Sequence, residues 1–180
     1  MTIFFTADTH FRHDEIVDAC QRPFNSVEEH DQVLVENWNA LVRPEDEIYI
    51  LGDFIIAENR DQVESLTRLL NGKKYLVLGD HDNPDLCEGC FEWVKDYHVL
   101  NTHEKAWILF HYPIWIWHRH HRDSIHLYGH VHHKPIHPGS PLDLALKDRT
   151  NCINVGVDVQ GYAPVSAEAL LQQIHDQVSH

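Results

Sequence analysis

The amino-acid sequence predicts an α/β protein whose polar functional groups lie at the ends of strands. Short apolar runs typical of buried strands alternate along the chain with segments of helical periodicity, an alternation typical of α/β domains. Most of the predicted strands end in Asp or His. The 180 residues suffice for a substantial core and contain no linker-like stretch or internal repeat, so a single domain over residues 1–180 is expected.

The first half of the chain carries three predicted strands and two predicted helices. A largely apolar run over residues 3–7 ends at Asp8, which favours a buried strand. Ser26 and Glu29 have the spacing of a capping box, and the helix that they begin is expected to end before Pro44. A second strand is predicted over residues 47–51, a helix over residues 61–70 and a third strand over residues 75–78.

The second half is predicted to contain four strands and one helix. Strands are expected near residues 97–100, 106–110 and 125–128, with a last strand over residues 152–157. A Pro-rich loop is predicted over residues 134–141, and Ser166 is expected to cap a C-terminal helix.

Composition and charge exclude several classes of protein. Hydrophobic residues make up 43% and charged residues 23% of the chain, which excludes a disordered protein. Asp and Glu outnumber Lys and Arg by 28 to 14, and the formal net charge of -14 disfavours stable binding to duplex nucleic acid or to an anionic membrane. No apolar run reaches the roughly 18 to 20 residues of a membrane-spanning helix, and the first residues lack signal-peptide features. We therefore expect a cytoplasmic protein.

Cysteine and histidine usage points away from disulfides and toward metal. Four cysteines are too few and too scattered for a disulfide framework, so reduced thiols are expected. Cys87 and Cys90 form a lone CxxC without the further ligands that a structural zinc site needs. The 17 histidines outnumber all Lys and Arg residues together, which favours a metal site where their spacing suits one.

Seven Asp and His side chains follow predicted strands that lie far apart in the chain. Because ligands bind beyond the carboxyl ends of strands in an open α/β sheet, these side chains are expected to lie close together. Within D-x-H and H-x-H segments, both polar side chains fall on one face of an extended chain. Glycines before three of the seven let the backbone turn sharply. The set comprises Asp8, His10, Asp53, Asp80, His111, His130 and His132.

These residue types favour a two-metal site. Carboxylate and imidazole ligands together suit Mn²⁺, Fe, Ni²⁺ or Zn²⁺ better than Ca²⁺ or Mg²⁺. Seven ligands are too many for one tetrahedral ion but suffice for two ions bridged by a carboxylate. Each residue alone is ordinary, since an Asp after a strand is usually a cap or turn residue. The prediction of a two-metal site rests on the ordered series of spacings and not on any single residue.

The ordered series D-x-H, GD, G-D-H-D, H and G-H-x-H resembles the motifs of the calcineurin-like metallophosphoesterases, in particular the small single-domain bacterial and phage enzymes. The resemblance covers nearly the whole chain and includes four further segments: Arg22-Pro23-Phe24, Asn37-Trp38-Asn39, His111-Tyr112-Pro113 and Asn154-Val155-Gly156-Val157-Asp158. It implies the metallo-dependent phosphatase fold, a four-layer α-β-β-α sandwich of two mixed sheets flanked by helices, with the metal site at one edge. Its motifs are specific for fold and chemistry rather than for substrate.

The resemblance also implies a role for each motif residue. His81 matches the proton donor, with Asp82 placed to orient its ring. The implied reaction is hydrolysis of phosphodiester bonds, and of phosphomonoester bonds as well, by a metal-bound hydroxide, with Mn²⁺ foremost among the candidate ions. The expected partner is a small phosphoester, nucleotide-like compounds included, and a homodimer is compatible with the sequence. Asp8, His10 and His132 would hold one ion, Asp80, His111 and His130 a second, and Asp53 would bridge the two.

The chain departs from the family pattern at Asp80, where the family has Asn. An ionised carboxylate would bind the second ion more tightly than an amide, but it has no N–H to donate to phosphate and adds negative charge. An enzyme with lower turnover or altered metal preference is therefore expected. The alternatives are a catalytically weakened or inactive scaffold of the same fold, and a metal-storage protein that uses all 17 histidines.

Three weaker signals stay open at this point. Arg12 either contacts substrate phosphate or points to solvent, which we favour. The basic run over residues 118–122 is either a solvated loop or a cationic rim. Trp115 and Trp117 either pack or stack on a nucleobase, and packing is the commoner use of such residues.

Overall fold

In a computed structural model, two β-sheets pack face to face, with helices on the outer face of the first sheet. The structure describes residues 1–134, 138–140, 145–146 and 149–178. The strands are β1 (Ile3–Thr6), β2 (Glu47–Leu51), β3 (Lys73–Val77), β4 (Val94–Lys95), β5 (His98–Thr102), β6 (Lys105–Leu109), β7 (Ile125–Tyr128), β8 (Cys152–Asn154) and β9 (Val165–Ser166). The helices are α1 (Ile16–Ala19), α2 (Val27–Leu41), α3 (Arg60–Leu69), α4 (Pro84–Cys87) and α5 (Ala167–Val178).

Both sheets are mixed. The first has the strand order β4-β3-β2-β1-β9, in which β9 alone runs antiparallel to its neighbour. The second has the order β5-β6-β7-β8, in which β5 runs antiparallel to β6. The carboxyl ends of β1, β2 and β3 therefore lie together at one edge, and those of β6, β7 and β8 do so in the second sheet. The predicted α/β class is confirmed.

The core lies between the two sheets and beneath the helices. Phe5 of the first sheet stacks on Trp107 of the second, with ring centroids 5.2 Å apart. On the outer face of the first sheet, Ile48 and Ile50 pack in one cluster with Trp38 of α2. Strands buried on both faces are near-continuous apolar runs, which is why the sequence pattern locates them well. On the outer face of the second sheet, the buried cluster comprises Ile108, Trp117, Leu146 and Cys152.

The predicted strands and helices are observed, with bounds that differ from the predicted ones by at most three residues. The bounds predicted for β2 and β7 are those observed. Ser26 caps α2, since its Oγ accepts the Glu29 N–H at 3.3 Å, and Ser166 Oγ accepts the Ala169 N–H at 3.1 Å. Two helices and two strands of two to four residues were not predicted, because such lengths show no periodicity. Part of the loop predicted over residues 134–141 lies outside the described residues.

The cysteines are unpaired in the structure, and its helices were compared with the length and apolarity that a membrane span needs. All four cysteines are free. Burial raises the pKa of the Cys87 thiol to about 12, so the lone CxxC contains at least one unreactive thiol. No helix in the described part of the chain is both long and apolar enough to cross a bilayer.

Candidate metal centre

The structure brings the seven predicted ligands together at one edge of the sheets. Among these seven residues, three groups have ligand atoms within 4.8 Å of one another: Asp8, His10 and His132; Asp80, His111 and His130; and Asp8, Asp53 and His111. A fourth such group combines His132 with Cys20 and Asp158. The strand-end pattern thus predicts their convergence correctly, while their role as metal ligands stays a prediction.

Five of the seven reach the centre through left-handed backbone. Their φ angles are 55° for Asp8, 50° for His10, 54° for Asp53, 69° for His130 and 52° for His132. The expected mechanism, alternation along an extended D-x-H or H-x-H segment, is therefore wrong. Left-handed non-glycine residues cost about 1 kcal/mol or more each and persist where surrounding contacts determine them, typically at functional sites.

Backbone hydrogen bonds hold these turns in place. The N–H of Asp8 donates to Gly52 O at 3.0 Å, and the N–H of His10 donates to Asp53 O at 2.8 Å. Asp8 in turn accepts the His130 N–H with both carboxylate oxygens, at 2.8 and 3.1 Å. The loops after β1, β2 and β7 are consequently tied to one another before any ligand binds.

Asp53 lies between the two outer groups of ligands. Its Oδ2 is 3.4 Å from His10 Nε2 and 3.5 Å from His111 Nε2. Its Oδ1 accepts the His81 N–H at 3.0 Å. One carboxylate oxygen thus faces a histidine of each group, which is the position that a bridging ligand needs.

Hydrogen bonds to the far ring nitrogens orient two of the histidines. His111 donates from Nδ1 to Leu51 O at 2.7 Å, so its Nε2 presents a lone pair toward Asp53 and toward Asp80, 3.1 Å away. His132 donates from Nδ1 to Asp158 Oδ2 at 2.7 Å, which leaves Nε2 for the centre. A carboxylate or carbonyl behind the imidazole is the usual support of a metal-bound histidine.

His10 provides the test of whether these residues fit a metal. Burial lowers the pKa of His10 to about 2, so its ring is neutral. Within the described chain, its buried Nε2 has no hydrogen-bond partner, although Asp53 Oδ2 lies 3.4 Å away. The Nδ1 of His10 lies 3.0 Å from His13 Nδ1. With the ring proton on that Nδ1, His10 Nε2 and Asp53 Oδ2 are two buried electron-pair donors that face each other, which is unfavourable unless a cation lies between them. The donor set therefore fits a metal ion.

Asp8 and Asp80 differ in their surroundings. Burial raises the pKa of Asp8 to about 6, against the opposing effect of His111 and His132. Asp80 is exposed. Partial burial raises the pKa of its carboxyl group, but its backbone hydrogen bond and the nearby His130 lower it by more. The pKa of Asp80 therefore lies below the usual value. Asp80 Oδ1 is 3.3 Å from His130 Nδ1 and accepts the Tyr112 hydroxyl at 3.2 Å. A bound cation would stabilise both carboxylates in the ionised form.

The exposed His81 ring lies against the first group of ligands, but Asp82 does not orient it. The centroid of the His81 ring is 5.2 Å from that of His10. Asp82 Oδ2 accepts the N–H groups of Asp53 and Gly79, each at 2.9 Å, and Oδ1 accepts that of Phe54 at 2.9 Å. The predicted role of Asp82 is corrected, since its carboxylate ties the loop after β3 to the loop after β2.

Sequence reasoning missed a buried hydrogen-bond network behind the first group of ligands. Arg22 donates from Nε and Nη2 to the two carboxylate oxygens of Asp158, at 2.9 and 2.8 Å. Its Nη2 also donates to Asp8 O at 2.7 Å and its Nη1 donates to Thr9 O at 3.1 Å. Asp158 is the residue that accepts the His132 N–H. Both residues lie in segments that carry the family resemblance, which was the available signal.

The network continues to the surface through α2. His30 accepts from Arg22 Nη1 at 2.6 Å and donates from Nδ1 to Asp31 Oδ1 at 2.8 Å. Asp31 Oδ2 accepts the N–H of Arg12, another left-handed residue with φ 61°. We call Arg22, His30, Asp31 and Asp158 the Arg22 network. It fixes the backbone of the loop that carries Asp8 and His10.

The three weaker signals lie outside the cluster. The exposed Arg12 lines a cavity of about 650 Å³ between α2 and α3, away from the ligands. Trp117 is buried and donates to Ser124 Oγ at 3.1 Å, whereas Trp115 is 46% exposed. Arg119 of the basic run pairs with Asp123 at 2.9 Å.

Comparison with known proteins places the chain among relatives of similar length. Uncharacterized protein MJ1445 of Methanocaldococcus jannaschii is 31% identical over 182 residues, which cover 96% of this chain and 90% of that protein. The chain belongs to the family of this archaeal protein. The Gene 66 proteins of Mycobacterium phages L5 and D29 are 34% and 38% identical, but over only 45% and 46% of this chain. The chain matches no protein-family model.

A solved structure shares the fold over nearly its whole length. The crystal structure of AQ665 from Aquifex aeolicus, a protein of unknown function, aligns with a TM-score of 0.74 and 28% identity, covering 95% of this chain and 98% of that one. A novel archaeal phosphodiesterase aligns with a TM-score of only 0.42 and 12% identity, a similarity too low to bear on function.

Proposed function

We propose that this protein is a phosphoester hydrolase that depends on two divalent metal ions and has the four-layer metallo-dependent phosphatase fold. The observation that carries the proposal is the pair of three-residue ligand groups with Asp53 between them. The family resemblance of the motifs supports the same assignment.

Each ligand group would hold one ion. Two cations in such a site supply charge that neutralises a phosphate and lowers the pKa of a coordinated water to about 7. Mixed carboxylate and imidazole ligands favour Mn²⁺, with Fe, Ni²⁺ and Zn²⁺ as alternatives. The proposed ligands are Asp8, His10 and His132 for the first ion and Asp80, His111 and His130 for the second, with Asp53 shared.

The protein's own residues would position the ester and move the proton. His81 is exposed beside His10 and is suited to protonate the departing alkoxide oxygen, a step that typically accelerates such reactions by about 10² to 10⁴. The Arg22 network holds the ligand loop rigid.

Phosphodiesters are the preferred substrates in this proposal, with phosphomonoesters second. The Asp80 carboxylate adds a negative charge at the second group of ligands. A phosphodiester carries one negative charge near neutral pH and a phosphomonoester carries nearly two, so repulsion by Asp80 disfavours the monoester more.

The experiment is hydrolysis of bis(p-nitrophenyl) phosphate by metal-stripped protein, with and without added Mn²⁺. Activity that requires Mn²⁺, falls at least about 100-fold in Asp53→Asn and persists in Asp176→Asn is expected. Asp176 is an exposed carboxylate on α5 and serves as the matched control. Folded protein without activity in any divalent ion would contradict the proposal.

Asp80 supports one second candidate, a scaffold of the same fold that binds metal without turnover. Turnover at full metal occupancy separates the candidates, since the enzyme is active with two ions bound, whereas the scaffold has no activity at any occupancy. Among the described residues, every candidate metal group contains a proposed ligand, which disfavours metal storage.

A further inference from the structure

A row of aromatic rings leads from the candidate metal centre to the surface. Tyr112 packs on His130 with centroids 4.7 Å apart, Phe110 lies 5.4 Å from Tyr112, and Tyr97 lies 6.1 Å from Phe110. We call Tyr97, Phe110 and Tyr112 the aromatic row.

The sheet register places the row at the ligand edge. β5 runs antiparallel to β6, with His98 opposite Leu109, so the residue before β5 lies beside the residue after β6. Tyr97 and Phe110 are therefore neighbours at the end of β6 that continues into His111. Phe110 and Tyr112 are two residues apart in this segment and lie in ring contact.

The row is accessible, unlike most aromatic residues of the core. Tyr97 is 39% exposed, and Phe110 and Tyr112 are half-buried. By contrast, Phe5 and Trp107 between the sheets have no exposed surface. The Tyr112 hydroxyl donates to Asp80 Oδ1, so the ring surface begins at a proposed ligand. These rings therefore border the ligands closely enough to contact an organic group attached to a phosphate held there.

We propose that the aromatic row binds a planar aromatic group of the substrate, so that the preferred substrates are aryl or nucleobase-bearing phosphoesters. The inference rests on the proposed function and names the substrate class of the same site. Stacking on a π face needs no charge, and it therefore suits a protein with a formal net charge of -14 that must bind an anion.

Trp115 and Trp117 lie in the same segment between β6 and β7 as Tyr112, but they are poorer candidates for binding an aromatic group. Trp117 is 5% exposed. The guanidinium of Arg149 lies 5.4 Å from the centroid of the Trp115 ring, and Arg149 Nη1 donates to Trp115 O at 3.3 Å, so one face of that ring is covered. Trp115→Leu is therefore a matched control that removes an exposed ring outside the row.

The experiment compares the binding of phenylphosphonate and methylphosphonate, which have no ester bond to hydrolyse, to Mn²⁺-loaded protein by titration calorimetry. The two ligands carry the same charged group and differ in the ring. Phenylphosphonate is expected to bind at least about fivefold more tightly, the lower end of the range for aromatic stacking. The preference should persist in Tyr112→Phe and Trp115→Leu and disappear in Tyr112→Leu and Phe110→Leu.

The outcomes separate this inference from the proposed function. Equal, Mn²⁺-dependent binding of both phosphonates would overturn the proposed role of the aromatic row and leave the metal site standing. A preference lost in Trp115→Leu but kept in Phe110→Leu would also overturn it. Binding of neither phosphonate with any divalent ion would overturn both proposals.

Discussion

Asp80 brings a negative charge to the place where the proposed substrate phosphate binds. Its Oδ1 faces His111 and His130, so an amide at this position could keep the ligand oxygen while adding an N–H donor. Asp80→Asn is therefore expected to raise kcat for bis(p-nitrophenyl) phosphate by up to about tenfold, the worth of one hydrogen bond. Steady-state kinetics with Mn²⁺ measures this. Asp80→Ala, which removes the ligand oxygen, should lower kcat, and an unchanged or lower kcat in Asp80→Asn would refute the argument.

Asp158 supports a ligand from behind without being one of the seven. An Asp158→Asn substitution weakens its hydrogen bond from His132 and its pairing with Arg22. Loss of such support typically costs about 10- to 100-fold in metal affinity. Titration of the metal-stripped variant with Mn²⁺ measures that affinity.

The control for Asp158 is a second buried carboxylate far from the ligands. Asp46 accepts the N–H groups of Thr2 at 2.6 Å and Arg43 at 3.0 Å. Asp158→Asn and Asp46→Asn should both lower the free energy of unfolding, but only the first should lower Mn²⁺ affinity. Equal Mn²⁺ affinity in the two variants would mean that Asp158 is merely structural.

His126 makes stability depend on pH. Its ring is fully buried, with Nδ1 3.1 Å from Ile108 O and Nε2 3.2 Å from Tyr112 O, and burial lowers its pKa to about 4. An unfolded histidine binds a proton near pH 6.5, so the unfolded state takes up more protons between about pH 6.5 and pH 4, and stability is lost as the pH falls. His126 is expected to contribute about 2 kcal/mol of this loss between about pH 7 and pH 5.

Urea unfolding near pH 5 and near pH 7 tests this expectation. The pH dependence should be smaller in His126→Gln than in wild type, whereas His121→Gln, at an exposed position, should leave it unchanged. If His126→Gln kept the full wild-type pH dependence of stability, other titratable groups and not His126 would be responsible for that dependence.

The loops after β2 and β3 fit together only because Gly79 has no side chain. A Cβ at position 79 would collide with Asp53 Oδ1 and would lie 2.6 Å from Asp53 N. Gly79→Ala is expected to push the two loops apart, costing about 1 to 3 kcal/mol of stability and about tenfold in Mn²⁺ affinity. Gly161→Asn is the control, because a Cβ there meets nothing within 4 Å. Wild-type Mn²⁺ affinity in Gly79→Ala would show that the loops tolerate separation.

Strand ends could be predicted from sequence, but the turns that follow them could not. The sequence predicts Asp8 and Asp53 at the ligand edge because an apolar run ends directly before Asp8 and another ends at Leu51, one glycine before Asp53. Their left-handed backbone was not predicted, since neither is glycine and the turns depend on hydrogen bonds between distant loops. The Asp82 carboxylate was misassigned for the same reason. Its three backbone donors come from loops that only the folded sheet brings together.

Across the whole molecule, the candidate centre collects carboxylates in a chain that already has a formal net charge of -14. Asp8 and Asp53 are almost fully buried there, and the neutral His10 leaves a buried nitrogen without a hydrogen-bond partner among the residues that the structure describes. A cation bound here would offset the free-energy cost of burying these groups. Because it binds the folded state and not the unfolded one, it must stabilise the fold. Metal binding is therefore expected to raise the free energy of unfolding of the whole protein, although the ligands occupy only one edge of the sheets.

Mn²⁺ at about 100 times its Kd should add about 2.7 kcal/mol per site, which corresponds to a rise in Tm of roughly 5 to 10 °C for a chain of this size. Thermal unfolding of metal-stripped protein with and without Mn²⁺ measures the shift. Asp53→Asn should reduce it sharply, because Asp53 faces both ligand groups. Asp176→Asn should retain the full shift. If Asp53→Asn were stabilised as much as wild type, the ion would bind elsewhere, with exposed histidines such as those at positions 118 and 121 the next place to look.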